Sequence, residues 1–145
     1  MIIRRLARSD IDAVLAIQSS CLEIAQWTSQ DYARADGSEM SAWVAEEASE
    51  VAGFLVARPV ASDLEILNFA VLPAARSRGI GTSLLSEVFN WGKSFNAGNV
   101  FIEVRASNSI ALRFYDRHNF QIAGRRPSYY ASPVEDAVLL AARLG

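Results

Sequence analysis

Two groups of residues have types and spacings that could do chemistry. The first is Arg76-Ser77-Arg78-Gly79-Ile80-Gly81-Thr82. It follows an apolar run ending in Phe69, Ala70 and Val71, and Pro73, which cannot donate to a ladder, stops that run. After it, Leu84, Leu85, Val88, Phe89 and Trp91 recur near helical spacing. A strand, a glycine turn and a helix start together make an anion site. The first N–H groups of a helix lack intrahelical acceptors, and the helix dipole places partial positive charge there. Glycine permits φ > 0 and a close approach of backbone to ligand. A phosphate or diphosphate suits such a site, and Arg76 and Arg78 could add charge-assisted bonds. No lysine follows Gly81, which excludes a nucleotide P-loop. Leu84 stands where a dinucleotide fingerprint needs its third glycine.

The second group lies between Ile102 and Phe120. Glu103 sits inside the apolar run Val100–Val104. A carboxyl buried in such a run holds its proton more tightly and is a better base near neutral pH. Tyr115 recurs with Ile110, Ala111, Leu112 and Phe114 on a helical pattern, where a tyrosine ordinarily packs in the core. Asn108 reads as a helix cap. His118, the single histidine, falls in the last turn of that helix, where charge or hydrogen bonding favours the C-terminus. With Cys21 as the single cysteine, no zinc site and no internal disulfide are expected, which fits a reducing cytoplasm.

These residues need elements to hold them. Ile2, Ile3 and Leu6 predict a short first strand, and Ser9 or Asp10 can cap a helix carrying Ile11, Val14, Leu15 and Ile17. Thr28 can cap a second helix. Trp27 before it either staples that helix to the domain or lines a substrate groove. Met40–Glu46 and Val51–Ala57 read as an antiparallel hairpin, and Leu64–Val71 as the strand that enters the glycine turn. The helix after that turn leads through a loop at Phe95–Asn99 to a strand at Val100–Val104, a βαβ unit with parallel strands. A helix from Asn108 or Ser109 to about His118 follows. Then come a strand at Phe120–Ala123, a loop at Arg125–Pro133 and a last strand at Val134–Ala142. The expected fold class is α+β, with a mixed sheet in one domain over residues 1–145.

Composition narrows the function. The chain has 145 residues, a formal net charge of -2 and 21% charged residues. That is an ordinary globular profile, without the basic footprint of a nucleic-acid binder. No apolar run approaches the ~20 residues of a membrane span, and the first residues lack a signal-peptide layout.

The pattern Arg-x-x-Gly-x-Gly at Arg76–Gly81, placed after a strand and Pro73, resembles the acetyl-coenzyme A signature of the GNAT N-acetyltransferase superfamily. The later stretch Glu103-Val104-Arg105-Ala106-Ser107-Asn108, then Ala111 and Tyr115, resembles the second half of that fold. Within the superfamily it is similar to the ribosomal-protein-alanine N-acetyltransferases. Asn68-Phe69-Ala70-Val71, Arg125-Arg126, Tyr129-Tyr130 and Glu135-Asp136-Ala137 carry that likeness. Two departures stand out. Asn119 replaces the usual glycine before Phe120, and asparagine is the next-best left-handed helix end. Pro127-Ser128 lengthens the segment between the arginines and the tyrosines, which bears on the acceptor.

The resemblance implies an α/β/α sandwich with a mostly antiparallel sheet and one parallel pair, Leu64–Val71 and Val100–Val104, splayed at its C-terminal ends. Acetyl-CoA would enter the splay as co-substrate, with no metal. Backbone groups of Phe69, Ala70 and Val71 would pair with the pantetheine arm, the turn from Arg76 to Thr82 would hold the diphosphate, and Asn108 would touch the cofactor. Glu103 would act as base and Tyr115 as proton donor to the leaving thiolate. Trp27, Tyr129 and Tyr130 would meet the acceptor, a protein N-terminus, that of a ribosomal protein above all, or a small amine. The protein would be cytoplasmic, a monomer or weak dimer, with no nucleic-acid or membrane partner. A non-catalytic acyl-CoA sensor on the same fold would keep the glycine turn but would not need Glu103 and Tyr115 together.

Overall fold

The computed structural model of the chain describes residues 1–144. Its elements are β1 (Ile2–Arg5), α1 (Ile11–Ser19), α2 (Ser29–Ala33), β2 (Ser41–Glu47), β3 (Glu50–Val60), β4 (Asp63–Val71), α3 (Ile80–Ser94), β5 (Asn99–Arg105), α4 (Ser109–Arg117), β6 (Gln121–Ala131) and β7 (Val134–Arg143). The seven strands form one sheet in the order β1-β2-β3-β4-β5-β7-β6, and β4–β5 is the parallel pair among antiparallel neighbours.

Period-two alternation sorts side chains to the two faces of this sheet. Val44, Phe54 and Val56 face α1 and α2, where they pack with Val14, Ile17 and Tyr32. Trp43, Leu55, Leu64 and Ile66 face the other way and pack with Leu84, Leu85 and Val88 of α3 and Tyr115 of α4. The result is the expected α/β/α layering.

Local chemistry fixes the ends of the helices. Thr28 caps α2 in a reciprocal box with Asp31, its hydroxyl accepting the Asp31 N–H at 3.2 Å while the Asp31 carboxylate takes the Thr28 N–H at 2.8 Å. Trp27, the residue before the cap, packs on Tyr32 with ring centroids 5.2 Å apart, which makes it a staple. Asp10 precedes α1 but does not cap it. Its carboxylate turns back to the Ala7 N–H at 2.7 Å and takes both guanidinium nitrogens of Arg4. Helix α4 ends on Asn119 in the left-handed region (φ 67°). The Phe120 N–H reaches the Tyr115 carbonyl at 3.0 Å and the Asn119 N–H reaches that of Asp116 at 3.2 Å, a Schellman ending. Its apolar contact is the Phe120 ring against the Tyr115 ring, centroids 5.0 Å apart.

One expected loop is strand. Residues 125–131 continue β6, paired to β7 through Arg125↔Val138, Arg126↔Ala137 and Tyr130↔Glu135. The segment lacks apolar alternation because β6 is an edge strand with most of its residues exposed. Pro127 is accommodated at a register break between Arg126 and Tyr130, where a missing N–H costs nothing to the ladder. The Asp136 carboxylate stabilises this bulge by accepting the Ser128 N–H at 2.9 Å and the Arg125 Nε–H at 3.0 Å.

The parallel pair holds together for two rungs, Leu64↔Val100 and Glu65↔Phe101. Asp63 clamps that end, its Oδ1 accepting the Asn99 N–H at 3.0 Å. Beyond it β4 carries a bulge: Val56 pairs Asn68 and Ala57 pairs Ile66, so Leu67 has no opposite residue on β3. A bulge bends its strand and increases the local twist. From Ile66 onward β4 diverges from β5, each strand keeping its ladder on the outer side alone, with β3 and β7 respectively.

Candidate active site

The divergence opens a cleft of about 940 Å³, within the range that encloses small-molecule ligands. One wall is the inner edge of β4, with Phe69, Ala70 and Val71. Across it stand Glu103 of β5 and Tyr115 of α4, and the turn before α3 closes one end through Arg76, Ser77, Gly79, Ile80, Gly81 and Thr82. The two chemistry-bearing groups read from the sequence therefore line one cavity.

The turn is built to present backbone donors. Ser77 and Gly79 both have positive φ, 69° and 80°. No side chain caps α3. Its first internal bond runs from the Ser83 N–H to the Gly79 carbonyl at 3.0 Å, so the N–H groups of Ile80, Gly81 and Thr82 have no intrahelical acceptor. The two glycines have different duties. A Cβ on Gly79 would meet nothing within 4 Å, so that position needs glycine for its φ. A Cβ on Gly81 would sit 3.1 Å from Cε1 of Phe114, so that position needs glycine to let α4 pack on α3.

Arg76 lines the cleft with its guanidinium 3.4 Å from Cys21 Sγ. Burial raises the Cys21 thiol above its ordinary pKa, and the Arg76 charge opposes that shift. Arg78 is placed differently from expectation. Its side chain leaves the cleft and pairs with Glu47 on the β2–β3 hairpin at 2.9 Å. That contact also accounts for Glu47, and Glu46 is taken by Arg4 at 3.1 Å.

Glu103 is not enclosed by apolar residues as its sequence neighbours suggest. Its side chain is 20% exposed and forms an ion pair with Arg126 of β6, Nε to Oε1, at 3.2 Å. Tyr115 is buried in an aromatic nest of Phe69, Phe114 and Phe120. Burial raises its phenol pKa well above the ordinary tyrosine value. Its hydroxyl has no hydrogen-bond partner among the described residues and lies on the cleft. Asn108 caps α4, its Oδ1 accepting the Ala111 N–H at 3.1 Å, and lines the cleft as well. Tyr129 and Tyr130 lie on the cleft at the β6–β7 end, where Arg105 covers the Tyr130 ring at 4.3 Å. Trp27 does not reach it.

Three side chains to which the sequence analysis gave no such role tie the cleft together. The Tyr32 hydroxyl donates to Gln18 Oε1 and accepts from Asn68 Nδ2 at 3.0 Å. Asn68 Nδ2 also donates to the Ala25 carbonyl at 3.0 Å, and Gln18 exchanges two bonds with the Trp27 backbone. The network pins the segment before α2, whose residues 21–26 supply one cleft wall, to β4. The partners are far apart in sequence, and each of the three alone reads as an ordinary polar residue.

The sequence matches the acetyltransferase (GNAT) family over residues 11–120. The chain belongs to that family. A GNAT relative, an uncharacterized N-acetyltransferase of Methanocaldococcus jannaschii, is 33% identical over 97% of this chain and 90% of its own length. An N-alpha-acetyltransferase of Sulfolobus acidocaldarius is 31% identical over 98% of this chain and 92% of its own. Among solved GNAT structures, the ribosomal-protein-S18-alanine N-acetyltransferase of Escherichia coli superposes with a TM-score of 0.87 at 25% identity, covering 99% of this chain and 94% of that one. The protein is thus an acyltransferase of the GNAT type, on the GNAT fold. Among the described residues no helix is long and apolar enough to cross a membrane.

Proposed function

We propose that this protein transfers an acetyl group from acetyl-CoA to the N-terminal α-amine of a protein, with the N-terminal alanine of a ribosomal protein as the leading acceptor. One observation carries the reading: Glu103, Tyr115 and the open helix terminus of α3 border the same cleft at the unpaired edge of β4. The names of the Sulfolobus and Escherichia coli relatives support the choice of an α-amine.

The residues present fit acetyl-CoA. The free N–H groups of α3 and the Arg76 guanidinium suit its diphosphate. The free edge of β4 at Phe69–Val71 suits an amide-bearing arm, which can pair there as a strand would. When bound, acetyl-CoA supplies an acetyl thioester, open to attack by an amine, with a thiolate as leaving group.

Glu103 accepts the proton of the incoming amine, directly or through a water. Arg126 pairs with Oε1 of this carboxylate. An α-amine has a pKa of ~8 against ~10.4 for lysine, so near neutral pH a lysine would cost on the order of 3 kcal/mol more to deprotonate. A carboxylate that is only partly exposed, as Glu103 is, is adequate for the former. Tyr115 offers its hydroxyl hydrogen to the departing sulfur. Its burial makes outright proton loss unfavourable, so it serves by hydrogen bonding.

The test is coenzyme A release with a peptide beginning Ala-Arg, with free amino acids and with polyamines, followed by mass spectrometry of acetylated N-termini. Turnover on the peptide supports the proposal. Turnover on small amines alone would overturn the protein acceptor. Coenzyme binding without turnover on any amine would make the protein a sensor.

A further inference from the structure

We propose that His118 is a positioning residue for the diphosphate of the coenzyme, acting through Thr82. The proposal rests on reading the cleft as a coenzyme site. His118 follows the last residue of α4, and its imidazole bridges to the first turn of α3. Nδ1 lies 2.7 Å from the Phe114 carbonyl oxygen, and Nε2 lies 3.0 Å from the Thr82 hydroxyl. The ring stacks on Phe114 with centroids 4.3 Å apart, and Phe114 in turn fills the space left by Gly81. These contacts fix the ring.

A carbonyl oxygen can only accept, so Nδ1 carries a proton. In the neutral ring Nε2 is then an acceptor, and it takes the Thr82 hydroxyl hydrogen. That hydrogen is then held by His118 rather than offered to the anion site. Once His118 is protonated, both nitrogens donate. Thr82 Oγ1 accepts from Nε2, and its own hydrogen is released toward the anion site formed by the N–H groups of Ile80, Gly81 and Thr82. Protonation therefore adds one donor and one positive charge at the same place, and both favour a bound diphosphate.

Lys93 and Arg117 line the small groove that His118 and Thr82 share between α3 and α4, and no carboxylate lines it among the described residues. In the main cleft, which His118 also lines, Arg76, Arg105 and Arg117 stand together with Glu23, Glu65 and Glu103. An anion in this corner favours the proton, and the proton favours the anion, so coenzyme binding and proton uptake are linked.

The experiment is calorimetric titration with dephospho-coenzyme A at pH 5.5 and 7.5, each in two buffers of different ionisation enthalpy. This probe keeps the diphosphate but lacks the 3′-phosphate, whose own titration near ~6 would confuse the result. Wild type is expected to bind about tenfold more tightly at pH 5.5, with uptake of part of a proton. His118→Gln and Thr82→Val should each abolish the pH dependence while keeping the wild-type circular dichroism. Equal pH dependence in wild type and both variants, or none in wild type, would overturn the proposal. Failure of dephospho-coenzyme A and acetyl-CoA to bind at any pH would overturn the coenzyme reading beneath it.

Discussion

Replacing Tyr115 with phenylalanine separates chemistry from packing. The tyrosine ring fills a nest of Phe69, Phe114 and Phe120, and phenylalanine keeps every one of those contacts. Burial alone accounts for the raised pKa of the hydroxyl, with no hydrogen bond contributing, so its removal leaves no orphaned group behind. Stability should therefore stay within about 0.5 kcal/mol of wild type or rise slightly. Catalysis should suffer far more. A donor aimed at charge that develops in the transition state is worth roughly 10²–10³ in kcat, or ~2.7–4 kcal/mol. The loss should fall on kcat, with the KM for acetyl-CoA little changed. Because burial holds the phenol above its ordinary pKa, the wild-type kcat profile should show no tyrosine limb below about pH 10. Thermal melts together with steady-state coenzyme A release test this directly. Turnover in Tyr115→Phe equal to wild type would remove the hydroxyl from the mechanism, and a melting point many degrees lower would refute the claim that it is unpartnered.

Gly79→Ala should weaken coenzyme binding and cost about 1–2 kcal/mol of stability from its positive φ alone, since its Cβ meets no atom; titration calorimetry and melts measure both. Asn68→Ala, which strips partners from the Ala25 carbonyl and the Tyr32 hydroxyl, should cost about 1–3 kcal/mol and raise the KM for the acceptor more than that for acetyl-CoA in two-substrate kinetics. Arg126→Ala should leave stability within ~1 kcal/mol, because the arginine side of the ion pair is exposed, and lower kcat/KM for the acceptor several-fold. The Arg4 guanidinium holds the Asp10 carboxyl below the usual range. Its contribution is therefore present above the unfolded value of ~3.9 and is lost as pH falls through the folded one. The melting temperature should drop more steeply between about pH 5 and 3 in wild type than in Asp10→Asn.

What could be read from the sequence was what short-range chemistry determines. The glycine turn, the Asn108 cap, the left-handed Asn119 and the hairpin β2–β3 each need a few neighbouring residues, and all stand where their patterns put them. Residues 125–131 read as loop in the sequence because an exposed edge strand carries no apolar rhythm, and Pro127 argues against pairing that a bulge permits. Arg78 was placed on the anion site by adjacency. Its true partner, Glu47, lies across the sheet face, and nothing local announces that. Glu103 sat in an apolar run, yet the register that brings Arg126 to it is set by the β5–β7 and β6–β7 ladders. The Gln18–Tyr32–Asn68 network and the Thr82–His118 bridge were illegible for the same reason: each joins elements whose neighbourhood exists only after folding.

The two-rung ladder between β4 and β5 makes the sheet a pair of plates hinged at one end, with α3 as the strut that joins them. A guest lodged in the gap is then a keystone as well as a reactant, since it supplies rungs that the polypeptide omits. How wide an acyl group the gap admits is governed by how far the plates part. The features at the base of the divergence, the Leu67 bulge and the Asp63 clamp, are separate from Glu103 and Tyr115, so a change in how far the plates part need not touch either side chain.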